Sequence, residues 1–118
     1  MVKIMKLHLL VIIFCALVGI SIGQVVYSDP PFASEEDSII IYFDATKGNQ
    51  GLLGYTGDDV YAHIGVLTNY SADPTDWKHV VSDWCENLPE TQLSRVDTNL
   101  YKLVIGYPRE YFSMNDPN

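Results

Sequence analysis

Between positions 55 and 78 the chain sets ring faces beside hydrogen-bonding heads. Tyr55, Tyr61 and Trp77 supply the rings, and Asp58, His63 and Lys78 supply a carboxylate, an imidazole and an ammonium. A pyranose shows a face of polarised C–H groups that packs on an electron-rich ring. Its hydroxyls then need partners, because a buried hydrogen bond left unmade costs about 1–3 kcal/mol. Asn69, Tyr70 and Trp84 lie in the same region. Tyr55 and Trp77 sit beside turn residues and are expected at the surface, whereas Trp84, following Val80 and Val81, is expected in the core.

Other chemistries fit less well. Asp44, Asp58 and Asp59 could form the two-carboxylate cleft of a glycosidase, but acids at strand ends are ordinary turn residues. Cys85 with His63 or His79 would make a thiol–imidazole pair, yet no local signature accompanies it. Asp44, Asn49, Asp58 and Asp59 offer hard oxygen ligands without the register of a calcium loop. The chain has no Gly-x-Ser-x-Gly elbow, phosphate loop or His-Glu-x-x-His pattern. The residues therefore read as a noncatalytic binding surface, with no metal and no cofactor.

The elements that must position these residues are strands. Ile39, Ile41 and Phe43 alternate with Ile40, Tyr42 and Asp44, the two-residue period of a half-buried strand. Glycines at 48, 51, 54 and 57 mark a shaped loop, after which Val60, Ala62, Ile64 and Val66 line one face of a second strand. A turn at Asp73-Pro74 leads to a third strand over Trp77 to Asp83. A fourth runs near Gln92 to Val96, and Asp97-Thr98-Asn99 turns the chain into a fifth, Leu100 to Ile105. Pro108 to Phe112 begins one helical turn. Short strands with regular turn signals predict an all-β, antiparallel β-sandwich.

The chain has 118 residues, room for one domain. Lys3 and Lys6, the apolar run Leu7 to Ile20 and the small pair Ser21 and Gly23 form a signal-peptide pattern over 1–23, cleaved before Gln24. The run falls short of the roughly 20 apolar residues of a spanning helix. Residues 24–37, with Pro30, Pro31 and Glu35-Glu36-Asp37, read as a flexible acidic lead-in, and 38–118 as the β-module. Fifteen acids against seven bases give a net charge of −8. That excludes the basic footprint of a nucleic-acid or anionic-membrane binder and suits a secreted or cell-surface protein, periplasmic or extracellular. Cys85 is the one thiol beyond the leader, so no internal disulfide is expected.

A longer pattern carries a resemblance. Ile41-Tyr42-Phe43-Asp44-Ala45-Thr46-Lys47-Gly48, Gly51-Leu52, Gly54-Tyr55-Thr56-Gly57-Asp58 and Val60-Tyr61-Ala62-His63 with Gly65-Val66 stand in order. Asp76-Trp77-Lys78 and Asn99-Leu100-Tyr101-Lys102-Leu103 continue it. This string resembles the N-terminal module of exported bacterial glycan-degrading proteins, including α-amylase-type glycoside hydrolases and starch-binding surface proteins. The resemblance implies an immunoglobulin-like, early-set sandwich that binds α-glucan, or that serves as a spacer packed against a catalytic domain. It also implies further strands and a catalytic or sorting domain beyond Asn118, so that the module is incomplete at its C-terminus. Under it, Tyr55, Tyr61 and Trp77 would stack on sugar rings, and His63, Asp58 and Lys78 would bond hydroxyls.

Overall fold

A computed structural model describes residues 24–114. The signal-peptide pattern lies outside the described residues, as do the last four positions. The frame is a four-stranded antiparallel sheet: β1 (Val26–Asp29), β2 (Ile39–Asp44), β3 (Ser94–Asp97) and β4 (Leu100–Gly106), in the spatial order β1-β2-β4-β3. The described part of the molecule is all-β apart from a one-turn helix, α1 (Pro108–Tyr111), and a 3-10 turn at Pro89–Thr91.

β2 and β4 occupy the centre because they carry the β-branched and aromatic residues that suit a pleated surface. Ile41 faces Leu103 and Phe43 faces Tyr101 across their ladder. These residues point to one side with Ile39 and Ile105, and that side is buried: Ile39, Ile41, Leu103 and Ile105 join Ile64, Val66, Phe112 and Met114 in one cluster. Ala45, Val60 and Tyr101 form a second cluster beside it. The other side of the sheet stays open to solvent. Tyr27 and Tyr42, paired across β1 and β2, stack there with ring centroids 5.2 Å apart, and Val104 is 57% exposed.

The segment read as a flexible lead-in does more than hold the domain at a distance. Its residues Val26–Asp29 are β1, an edge strand whose Val26 and Ser28 face Phe43 and Ile41. The buried Ser28 hydroxyl donates to the Pro30 carbonyl at 2.9 Å, which satisfies it where the strand ends. Proline and charge clustered at 30–37 hid a four-residue strand that precedes them.

Residues 45–93 cross from β2 to β3 and cover the buried side of the sheet. Two strands expected here, over 60–66 and 77–83, do not form regular ladders; each is reduced to isolated bridges, Tyr61 with Gln92 and Val66 with Lys78. Val66 and Lys78 exchange both backbone bonds, at 2.9 and 2.8 Å, but the next bond joins Val81 N–H to the Ile64 carbonyl at 3.1 Å. The pairing slips by one residue because His79 adopts a positive φ of 50° between the two contacts. Gly65 is needed at the same place: a Cβ there would lie 3.1 Å from the Lys78 carbonyl oxygen and 3.3 Å from the Trp77 Cβ. The inward alternation survives in part: Val60, Ile64 and Val66 are buried, Ala62 is half-buried, and Leu67 on the other face is buried as well.

The β3–β4 hairpin turns through Thr98 and Asn99, and Asn99 takes the left-handed corner at φ 63°. Its carbonyl accepts Ala45 N–H at 2.8 Å and its side-chain oxygen accepts Gly54 N–H at 2.7 Å. One turn residue thereby ties the hairpin to the glycine loop 45 positions earlier.

Candidate functional site

The six residues singled out from the sequence fall into two groups. The first is built on Trp77 and His63. The Val66–Lys78 bridge and the close pass at Gly65 bring these rings into a stack, centroids 5.7 Å apart and 29° between planes. Trp84 meets the same imidazole edge-on at 5.0 Å and 83°. Trp77 is half-buried and Trp84 is 76% exposed, the reverse of the expected assignment. Trp84 was expected in the core only because it follows Val80 and Val81. In fact Asp83 N–H is capped by the Glu86 carboxylate at 2.9 Å, so Trp84 rides on a polar turn that holds it outward. The flanking Asp83 and Glu86 were the available signal.

Lys78 follows Trp77 and pairs with Asp76 at 3.1 Å. Asp76 also accepts Ala72 N–H at 2.9 Å, and these bonds, the backbone one foremost, hold its carboxyl below the usual range. The Lys78–Asp76 pair thus flanks Trp77 in the sequence. His63 Nδ1 is buried without a hydrogen-bond partner. Tyr61, His63 and Trp77 meet again at the lining of one cavity.

The second group surrounds Tyr55 in the glycine loop. Tyr55 is 38% exposed, and its hydroxyl donates a short bond to the Asp59 carboxylate. That bond raises the phenol above its ordinary value and lowers the carboxyl below its own. Arg95 organises the loop from β3. One guanidinium nitrogen donates to the Tyr55 carbonyl at 2.8 Å and to the Tyr101 hydroxyl at 3.0 Å, and the other donates to the Gly57 carbonyl. The same group sits 5.0 Å from the Tyr101 ring centre. Asp58, exposed, approaches Arg95 at 3.9 Å. Among the described residues no hydrogen bond or ring contact joins this group to the Trp77 group. Arg95 went unnoticed in the sequence because a lone arginine in a short strand carries no pattern.

The alternative chemistries find no assembled site. Asp44 accepts from the Thr46 hydroxyl and backbone, which lowers its pKa, while Asp59 is engaged by Tyr55. Among the described residues no group of three or more acidic, histidine or cysteine side chains could hold a metal ion. Cys85 is exposed and hydrogen-bonds neither His63 nor His79 among the described residues. No helix of the described residues is long and apolar enough to cross a membrane. Comparison with protein-family models, curated proteins and solved structures returned no match to this chain.

Proposed function

We propose that this chain is a secreted, noncatalytic carbohydrate-binding module of immunoglobulin-like sandwich type, appended to a larger glycoside hydrolase or glycan-binding protein. The observation that carries the reading is the ring cluster of Trp84, His63 and Trp77, with an exposed tryptophan held outward and the Lys78–Asp76 pair adjoining Trp77 in sequence. A pyranose laid on Trp84 gains ring contact on its C–H face. Its hydroxyls would then exchange hydrogen bonds with polar side chains, for which Lys78 and Asp76 supply a donor and an acceptor. Tyr55 and Asp58 belong to a separate loop and would contact a neighbouring stretch of a long polymer. Such a site is weak by itself and acts by holding an attached enzyme at high local concentration on its substrate. The sandwich type is supported by the buried alternation of Val60, Ile64 and Val66, which faces the sheet as a second layer would.

Tryptophan fluorescence tests the reading, since the chain has two tryptophans and either can be removed to leave one reporter. Titration with maltoheptaose is expected to give a saturable change in the wild-type chain and none in Trp84→Ala, read through Trp77. A flat titration in the wild type sinks the proposal.

A second reading has its own observation. The solvent side of the sheet exposes Val104, and Val96 is also open, while Tyr27 and Tyr42 stack there half-buried. An apolar face of this kind suits a spacer that packs against a neighbouring domain. It predicts no glycan response and a Val104→Asp variant that loosens contact with that domain in the longer protein.

A further inference from the structure

Behind the ring cluster lies a cavity of about 260 Å³ between the sheet and the layer that covers it. Ile41, Phe43 and Leu103 form its floor, and Ala62, Ile64 and Leu93 face them. Tyr61, His63 and Trp77 contribute half-buried rings to the lining, and Trp84 takes no part in it. No charged side chain lines the space. We propose that this cavity is a binding site for a small uncharged aromatic molecule.

Size, polarity and shape each bear on that class. An enclosed apolar cavity of about 150 Å³ takes up benzene, and the larger, partly open space here has room for a ring with a short substituent. The apolar lining of this partly open space meets water in place of dispersion partners, and a ligand seated there restores those contacts. A charged group would be desolvated with no carboxylate, ammonium or guanidinium on the lining to meet it, which weakens carboxylates and amines relative to a neutral ring. Among uncharged molecules, Phe43, Trp77 and the His63 imidazole favour a ring, through offset and edge contacts that a simple alkane lacks. The slip in pairing at His79 leaves the covering layer irregular just where Trp77 enters the lining. The proposal does not depend on the sugar reading, because the glycan would lie on Trp84, outside the cavity.

Thermal unfolding of the full chain with added toluene is the test, with benzoate and benzylammonium as charged counterparts. Toluene is expected to raise Tm by several degrees, increasing with its concentration because it binds the native state alone, and to give protein-detected NMR shifts at the lining that saturate. The charged analogues are expected to bind at least about tenfold more weakly, given the cost of burying an unpaired charge. Ala62→Leu fills the space from within and is expected to abolish the toluene shift while leaving its own Tm equal or higher. If Ala62→Leu does not fold, Leu93→Phe fills the cavity from a different residue and is read in the same way. Absence of a saturable toluene effect, an equal effect in a folded cavity-filled variant, or equal binding of benzoate overturns the proposal.

Discussion

Arg95 spans three pieces of the molecule with one side chain. Its guanidinium joins the carbonyls of Tyr55 and Gly57 to the Tyr101 hydroxyl, and Tyr101 itself is 1% exposed. A planar fork with five donors can do this; a single ammonium cannot reach divergent carbonyls at once. Charge-assisted bonds of this kind are worth about 1.5–3 kcal/mol. Arg95→Ala is therefore expected to lower stability by about 2–3 kcal/mol in urea unfolding, with Arg95→Lys recovering less than half. Recovery of most of the lost stability by Arg95→Lys would show that packing of the stem, and not the fork, is what matters. Tyr111 gives a second residue-scale prediction. Its hydroxyl donates to the Glu90 carbonyl at 2.7 Å, and burial, with Glu90 adding, pushes the phenol up to about 12 from 10.0. The folded chain keeps a proton that the unfolded chain releases, so this contribution is complete below pH 10 and is lost as pH rises toward 12. The urea midpoint is expected to fall over that window, and the fall is expected to be shallower in Tyr111→Phe. Parallel curves for the two chains would contradict it.

At the scale of elements, the central strands were plain in the sequence and the covering layer was not. Ile39–Asp44 and Leu100–Gly106 alternate so regularly that no other period fits them, and the turn at Thr98-Asn99 carries its own left-handed residue. For 60–66 the buried positions Val60, Ile64 and Val66 lie on the face expected to be apolar, but for 77–83 the alternation fails: His79 is exposed and Ser82, expected on the opposite face, is buried. What the alternation does not encode is the slip at His79, which depends on a backbone angle that any polar residue at that position can adopt at modest cost. β1 was missed for a different reason: four residues next to prolines and acids give too short a period to see, and the edge position is fixed by β2 alone. The candidate site suffered most from this, since Trp84 lies past the slip and was expected in the core on the strength of the preceding valines alone. Gly65 and Gly54 separate the two kinds of glycine in this layer. Gly65→Ala pushes a methyl toward the Lys78 carbonyl and Trp77, and is expected to cost about 1–3 kcal/mol and to weaken glycan binding. Gly54 has a φ of 75° with open space around it, so Gly54→Ala is expected to cost about 1 kcal/mol and to leave binding unchanged. The comparison needs unfolding curves and a glycan titration on both variants; weaker binding in Gly54→Ala alone would refute it.

At the scale of the whole molecule, the sheet has one sealed face and one open face, and the two serve different ends. The sealed face carries the core and supports the irregular layer that presents the ring cluster. The open face holds the Tyr27–Tyr42 stack and Val104 where a neighbouring domain could lie. A net charge of −8 keeps such a molecule off anionic polymers while leaving neutral ones accessible. The central claim is that an outward tryptophan and its ring neighbours hold a neutral glycan. Electrophoresis of the native chain through gels with and without amylopectin measures this without a label or an attached enzyme. Migration is expected to be retarded by the polymer in the wild type, and to return to the polymer-free value in Trp84→Ala and Trp77→Ala. Identical mobility of the wild-type chain in both gels would contradict the account.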